Sequence, residues 1–164
     1  MVYSVLGDGR SVTHSDKEKL GFTEAIILEV LRVKPVAPFG LPHGVDKAFE
    51  LQGYTIPKDA IVFANILAIH KDPNYFAEPE KFDPSRWLDQ KGHITGRDRL
   101  LTFSVGPRSC LGEILAKMEL FLFFTSILQF YTVQLEDESK PLDMTPVIGL
   151  VSKAKDQNIV IMKR

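Results

Sequence analysis

The residues best suited to chemistry surround the single cysteine of the chain, Cys110. Gly106 and Gly112 flank it and leave the backbone free of side chains, so a bulky planar group could approach closely. Arg108 carries a fixed positive charge two residues before the sulfur, which suits it to a carboxylate. The apolar pattern from Leu111 predicts a helix, whose N-terminal amides and dipole favour a thiolate at Cys110.

Other interpretations of Cys110 follow from its residue type alone. A lone cysteine is most often a small, buried, apolar residue. A nucleophile of a cysteine–histidine hydrolase is another alternative, with His43, His70 or His93 as the base, but no hydrolase-like motif surrounds the cysteine. One thiol cannot form an intramolecular disulfide or a multi-cysteine zinc site.

The composition bounds the function classes. The chain has 164 residues, about one domain, with 45% hydrophobic and 25% charged residues, as in ordinary globular proteins. A net charge of −1 argues against a general nucleic-acid-binding protein. The most apolar stretch, residues 120–130, is shorter than the roughly 20 apolar residues that a membrane span needs, and residues 1–6 do not resemble a signal or an anchor.

Several elements must position the cysteine. Apolar spacing predicts a helix over residues 23–33, ended by Pro35, and Ser15 with Glu18 predicts a capped short helix near Asp16. Residues 36–68 predict a small antiparallel sheet with a turn at Gln52 and the following glycine. An irregular segment, residues 72–109, leads into a helix over 111–128 that is apolar nearly all round and is therefore predicted to be buried. Residues 133–135 and 159–162 predict strands, so the fold class is mainly α with a small antiparallel β-sheet (α+β).

The order Phe-x-x-Gly-x-Arg-x-Cys-x-Gly, from Phe103 to Gly112, fixes five positions and has a chance frequency of roughly 10⁻⁷ per window. It resembles the haem-binding loop of the cytochrome P450 family. The resemblance implies that Cys110 is the axial ligand of the iron of haem b, that Phe103 packs beside the sulfur and that Arg108 pairs with a haem propionate. Gly106 belongs to the same cofactor-binding loop.

Two shorter motifs occur upstream in the order that the family shows. Glu29 and Arg32 match its Glu-x-x-Arg helix, and Arg86 lies in a match to its Pro-x-Arg-aromatic motif. The resemblance implies that these three residues form a buried structural charge cluster that pins the proline-rich segment. It also implies that His43, after Leu41 and Pro42, meets the second propionate. The residues expected to line the substrate pocket are Ala37, Leu41 and Leu150.

The resemblance implies that residues 1–164 are the C-terminal, proximal haem-binding part of a cytochrome P450 domain. The complete enzyme would insert one oxygen atom of O₂ into a lipophilic substrate, with electrons from an NADPH-dependent flavoprotein reductase, on the cytosolic face of the endoplasmic reticulum membrane. Lys117, Arg97 and Arg99 are candidates for a basic face toward that reductase.

The family's membrane anchor and its distal acid–alcohol pair precede the matching region. No counterpart of either is found here, so no catalytic residue is assigned. Met1 is expected to start a truncated form, and this chain alone is not expected to catalyse monooxygenation. The alternative is a truncated, catalytically inactive haem-binding or regulatory fragment.

Overall fold

The computed structural model describes residues 2–7 and 9–164, so the part of the N-terminal prediction that falls on Met1 lies outside the described residues. Four α-helices are α1 (Val2–Leu6), α2 (Gly21–Val33), α3 (Ile66–His70) and α4 (Glu113–Phe130). Short 3-10 helices cover His14–Lys19, Pro84–Trp87, Arg97–Arg99 and Gly106–Arg108. The strands are β1 (His43–Gly44), β2 (Phe49–Leu51), β3 (Tyr54–Ile56), β4 (Ile61–Val62), β5 (Tyr131–Leu135), β6 (Val147–Ile148), β7 (Ser152–Lys153) and β8 (Ile159–Lys163).

The strands pair into two-stranded antiparallel sheets, β1 with β4, β2 with β3, β5 with β8 and β6 with β7. The predicted turn joins β2 to β3, and Gln52 and Gly53 both have positive φ angles, 50° and 84°. Two positive φ angles match the right-handed strand twist in a two-residue hairpin. Helices with small antiparallel sheets confirm the predicted α+β class.

Helix α2 lies at the centre of the described fold. It begins two residues before the predicted start and ends at Val33, because the proline at position 35 disfavours helical backbone in the residue before it. Ala25 and Leu28 pack with Phe76 and Trp87 of the irregular segment in one apolar cluster. This cluster attaches the long irregular segment to α2.

A second apolar cluster joins the N-terminal region to α4. It contains Val2, Leu6, Val12, Leu20 and Phe121. The capped helix predicted near Asp16 is a 3-10 helix, but its cap is not the predicted Ser15–Glu18 pair. The amide of Thr13 donates to Asp16 Oδ2 at 2.9 Å, and Arg10 donates to both oxygens of the same carboxylate.

The prediction that α4 is buried is wrong for the described chain. Its fully buried residues are Phe121, Thr125 and Gln129, which lie four residues apart on one stripe. Ile114 is 79% exposed and Phe123 is 67% exposed. An all-apolar helix gives no sequence signal for which side its neighbours cover, so burial of the whole surface did not follow from the pattern.

The irregular segment contains three of the 3-10 helices and one isolated bridge, between Leu88 and Ile94. Local backbone turns and hydrogen bonds to buried side chains, such as those of Glu29 and Arg32, hold the segment in place of a regular ladder. Within the described residues, none of the helices has the length and apolar character that crossing a membrane requires.

Candidate functional site

A groove of about 850 Å³ lies between the start of α4, the loop before it and residues 36–43. We call residues 101–112 the cysteine loop and this space the cysteine groove. The groove brings together seven of the predicted site residues, namely Ala37, Leu41, His43, Phe103, Arg108, Cys110 and Gly112. Its other walls are mainly apolar side chains from α2, α3 and α4.

Cys110 is exposed and lies three residues before the first residue of α4. Its amide donates to the carbonyl oxygen of Phe103 at 2.8 Å, which closes the cysteine loop. Inside the loop, the amide of Ser104 donates to the carbonyl oxygen of Leu101 at 2.8 Å, and Ser104 has a φ angle of +62°. A left-handed serine is an uncommon backbone conformation that its surroundings must hold in place.

The two glycines of the cysteine loop differ. Gly106 has a φ angle of +75°, which L-residues rarely adopt, and no atom lies within 4 Å of a Cβ placed there. Gly112 has ordinary backbone angles, and a Cβ added there would lie 3.9 Å from Cys110 Sγ. Backbone conformation therefore favours glycine at Gly106, whereas a Cβ at Gly112 would make only an ordinary van der Waals contact with the sulfur.

The two residues predicted to meet propionates both line the cysteine groove. Arg108 is exposed and, in the part of the chain that the structure describes, its guanidinium has neither a hydrogen bond nor an ion pair. His43 lies on β1 opposite Val62, and its exposed ring likewise has no hydrogen-bond partner among the described residues. A fixed cation and an imidazole thus face solvent beside the cysteine.

The predicted substrate-pocket residues divide into two groups. Ala37 and Leu41 line the cysteine groove. Leu150 does not, because it lies in the turn between β6 and β7, where it is 69% exposed. A 2.6 Å hydrogen bond from the amide of Ser152 to the carbonyl oxygen of Val36 connects this hairpin to the start of residues 36–43, the segment that lines the groove.

Glu29, Arg32, Arg86 and Trp87 form a second constellation, which we call the charge cluster. Arg32 donates from Nε and Nη2 to the two oxygens of Glu29 at 2.9 and 2.8 Å, and both side chains are fully buried. Arg86 Nε donates to Glu29 Oε1 at 3.1 Å. Trp87 Nε1 donates to Glu29 Oε2 at 2.9 Å, a contact that the sequence motif did not reveal. One carboxylate thus accepts hydrogen bonds from three side chains.

The charge cluster also holds the backbone of the irregular segment. Arg32 donates to the carbonyl oxygens of His70 and Pro79, each at 2.8 Å. Burial by itself raises the pKa of Glu29, but the donors on Arg32, on the Asp83 amide and on Trp87 outweigh it and hold that pKa below its usual value. Glu29 is therefore ionised and fully hydrogen-bonded at neutral pH.

His70 is the buried histidine of α3, and both of its ring nitrogens contact backbone. Leu101 N–H donates to Nε2 at 3.0 Å, and Nδ1 lies 3.1 Å from the carbonyl oxygen of Arg32. Burial lowers the pKa of His70 to about 4 and the nearby Arg32 guanidinium adds to this, although the hydrogen bond to the Arg32 carbonyl opposes it. With neither nitrogen free, His70 has no lone pair for a thiol proton, which argues against it as a hydrolase base.

Of the other two candidate bases, His43 lines the cysteine groove with Cys110, whereas His93 does not line it and pairs with Asp89 on an exposed bend. The three cations predicted for a basic face each have internal partners. Arg97 pairs with Glu24 at 2.7 Å, and Lys117 pairs with Glu113 at 2.5 Å. Arg99 stacks over Phe76 and Trp87.

Comparisons with known proteins agree with this arrangement of motifs. The family model described as Cytochrome P450 matches residues 2–161. Cytochrome P450 2U1 of Bos taurus is 41% identical over 160 residues, which cover 98% of this chain and 29% of the relative. Cytochrome P450 2U1 of Homo sapiens is 39% identical over the same share of each, and Cytochrome P450 2B9 of Mus musculus is 41% identical over 87% of this chain and 29% of its own length.

The chain thus spans less than a third of the length of these relatives. The match nevertheless covers nearly all of its residues, from α1 to β8. The glutamate–arginine helix, the charge cluster and the cysteine loop all fall inside the matched range. This chain belongs to the cytochrome P450 family.

Proposed function

We propose that this chain forms the cysteine-bearing side of a haem-thiolate monooxygenase. The observation that carries the proposal is the cysteine groove, in which an exposed cysteine and an unpaired arginine share one mainly apolar space of about 850 Å³. Cofactor sites are typically apolar clefts of about 300–1,000 Å³ with a few polar groups that fix orientation. The groove has that size and that character.

The residues of the groove fit a planar, dianionic, iron-containing group. Cys110 would hold the iron through its sulfur, and Gly112, which lines the same groove, places no side chain beside that sulfur. Arg108 and His43 would hold the two propionates, since Arg108 makes no ion pair among the described residues, not even with Glu119, which lines the same groove. Phe103, whose carbonyl accepts the Cys110 amide, would pack beside the sulfur, and Gly106 permits the turn between them.

Haem bound through a thiolate supplies activation of O₂, because thiolate donation favours cleavage of the O–O bond. The residues of this chain would bind the group, orient it and exclude water from its apolar edge. Ala37 and Leu41, which line the groove, would contact a lipophilic substrate. Leu150 would do so only if the β6–β7 hairpin moved toward the groove.

The complete enzyme would insert one oxygen atom of O₂ into that lipophilic substrate. Electrons would come from an NADPH-dependent flavoprotein reductase, and the site of action would be the cytosolic face of the endoplasmic reticulum membrane. The assignments of the reductase and of the membrane location are supported by the resemblance of the motifs to the microsomal branch of the family.

The test uses the complete natural gene product loaded with haem b. After reduction and addition of carbon monoxide, the Soret band should show the red shift that is typical of thiolate ligation. Cys110→Ser should abolish the shift, and adding Ser139→Cys, an exposed position in a distant turn, should not restore it. An unchanged spectrum in Cys110→Ser would disprove the assignment of the ligand.

A haem-binding fragment without turnover is the second candidate, and the exposure of the groove favours it. Cys110, Leu41 and Leu111 are exposed in the 164-residue chain, so solvent reaches the cysteine. Controlled proton delivery during O₂ activation requires a site from which water is excluded. The 164-residue chain should therefore bind haem but form no oxygenated product with reductase, NADPH and lipophilic substrates. If the chain does form product, and Cys110→Ala abolishes it, this candidate is rejected.

A further inference from the structure

His70 is a fully buried side chain whose two ring nitrogens bond to two different parts of the chain. On one side Nδ1 lies 3.1 Å from the carbonyl oxygen of Arg32, at the end of α2. On the other side Nε2 lies 3.0 Å from the amide nitrogen of Leu101, the first residue of the cysteine loop. The ring also packs edge-on against Phe76, with centroids 6.1 Å apart. His70 therefore bridges the central helix and the cysteine loop.

The partners of the ring determine its protonation. A backbone N–H only donates, so Nε2 must accept from Leu101, and a carbonyl only accepts, so Nδ1 must carry the proton. A protonated ring would present a second N–H to the Leu101 amide and lose that hydrogen bond. The charged group that faces the ring is the Arg32 guanidinium on α2, while Phe76 and Leu101 bring no titratable side chain to it. Both the backbone partners and this neighbouring cation favour the neutral ring.

The Leu101 amide lies at the start of a short series of bonds that ends at the cysteine. The carbonyl oxygen of Leu101 accepts the Ser104 amide at 2.8 Å, and the carbonyl oxygen of Phe103 accepts the Cys110 amide at 2.8 Å. Beside them, Thr102 Oγ1 donates to the carbonyl oxygen of Leu31 at 2.9 Å. The left-handed backbone of Ser104 lies inside this series, where the fixed ends of the turn hold it in place.

We propose that neutral His70 is a positioning residue for Cys110, because by accepting the Leu101 amide it fixes the first turn of the cysteine loop against α2. It touches neither the groove nor the sulfur and acts through the loop backbone alone. The inference rests on the proposed function only where Cys110 is taken as the iron ligand. The ring tautomer and the protection of the Leu101 amide do not depend on haem.

The first test is nitrogen NMR of the complete protein with labelled histidine, with the His70 signal assigned by its loss in His70→Gln. At about pH 7 the proposal requires an unprotonated Nε2 and a protonated Nδ1, which is the less common tautomer of a neutral imidazole. An Nε2–H tautomer or an imidazolium at that pH would overturn the proposal. If His70→Gln fails to fold, the His70 signal is assigned in the unsubstituted protein by its nuclear Overhauser contact with the Phe76 ring, which packs edge-on against it.

The second test uses two amide substitutions that separate the two bonds. His70→Gln places an oxygen at the reach of Nε2 and can still accept from Leu101, whereas His70→Asn places an amide at the reach of Nδ1 and can bond only to Arg32. Hydrogen exchange of the Leu101 amide should rise roughly tenfold in His70→Asn and much less in His70→Gln. The matched control is His93→Gln, the same chemical change at an exposed histidine, which should leave that amide unchanged.

Equal exchange in the two variants, or faster exchange in His70→Gln, would overturn the proposal. In haem-loaded protein, His70→Asn should also lower the fraction of the carbon monoxide spectrum that is red-shifted, and His70→Gln should restore most of it. If the tautomer and the exchange pattern hold but the unsubstituted protein has no red-shifted band, the proposed function fails while the role of His70 in the loop stands. If the band is present but does not respond to the His70 variants, the positioning role fails and the proposed function stands.

Discussion

The charge cluster and the cysteine groove both contain arginine side chains, but the two regions differ in whether those arginines are paired. In the charge cluster every charged side chain is paired, and the carboxylate of Glu29 accepts from Arg32, Arg86 and Trp87. In the cysteine groove Arg108 has no ion pair among the described residues, and Cys110 is exposed. Buried charges are costly unless they are paired, whereas an unpaired arginine in an apolar groove suits an anionic ligand. The difference separates residues that build the fold from residues that we propose to bind a cofactor.

The largest expected effect is on the charge cluster. Arg32→Met should lower the free energy of unfolding by about 3–5 kcal/mol, because it leaves the buried Glu29 carboxylate without its main partner. Urea denaturation of the complete protein measures the change. Glu80→Gln, which breaks the exposed pair with Lys71, is the matched control and should cost no more than about 1 kcal/mol. Equal losses would show that the charge cluster is not exceptional.

The next effect is a pH dependence that comes from His70. Its pKa is about 4 in the folded chain and about 6.5 when it is unfolded, so the unfolded state binds the proton more readily. Stability should fall as the pH falls from about 6.5 to about 4, by a total on the order of 3 kcal/mol.

The measurement compares urea denaturation at about pH 7 and about pH 4.5 for the unsubstituted protein and for His70→Gln. Both proteins contain the same carboxyl groups, so the difference between them isolates the histidine. The substituted protein should lose less stability on acidification. The same loss in both would show that His70 does not titrate in this range.

A smaller effect is the coupling within the charge cluster. Glu29→Gln and Arg86→Gln should each destabilise the fold, and the double variant should lose less than the sum by about 0.5–3 kcal/mol. Additive losses would mean that Arg86 holds the irregular segment only through the carbonyl oxygens of Ala77, Glu78 and Lys81.

The smallest effect on stability is expected in the cysteine groove. Arg108→Gln should change the free energy of unfolding by less than about 0.5 kcal/mol, because it breaks no bond in the described chain, yet weaken haem binding about tenfold or more. Haem transfer to an acceptor protein measures the second quantity. Lys58→Gln is the control, since Lys58 is exposed and does not line the groove. Arg97 would be an unsuitable control, because it pairs with the buried Glu24 and its loss would also affect stability. Equal haem loss in Arg108→Gln and Lys58→Gln would remove Arg108 from the site.

Local patterns were enough to predict the two long helices, α2 and α4, and the principal turn, but not the five-residue helices α1 and α3. Pro35 and the apolar spacing before it predicted the end of α2, and Gln52 with Gly53 predicted the hairpin turn, because these signals act over a few residues. The five-position motif around Cys110 was specific enough to indicate the family. These predictions needed no knowledge of what lies far away in the chain.

Contacts between distant segments could not be predicted in the same way. The bonds of His70 join backbone atoms of Arg32 and Leu101, whose side chains carry no signal of them. The tryptophan in the Pro-x-Arg-aromatic motif was visible, but its hydrogen bond to Glu29 spans 58 positions. The cap at Thr13 was missed because Ser15 and Glu18 offered the same spacing two residues later.

Helix α4 has consequences for producing this chain in a recombinant host. Its buried stripe includes the polar Thr125 and Gln129, while the apolar Ile114 and Phe123 face solvent. Keeping every apolar residue of this helix and changing only its polar ones would therefore alter the wrong positions. Polar replacements at Ile114 and Phe123 should increase the yield of dispersed, unaggregated chain. Alanine at Gln129 should lower the yield instead, because its side-chain amide binds the carbonyl oxygens of Gly7 and Arg10.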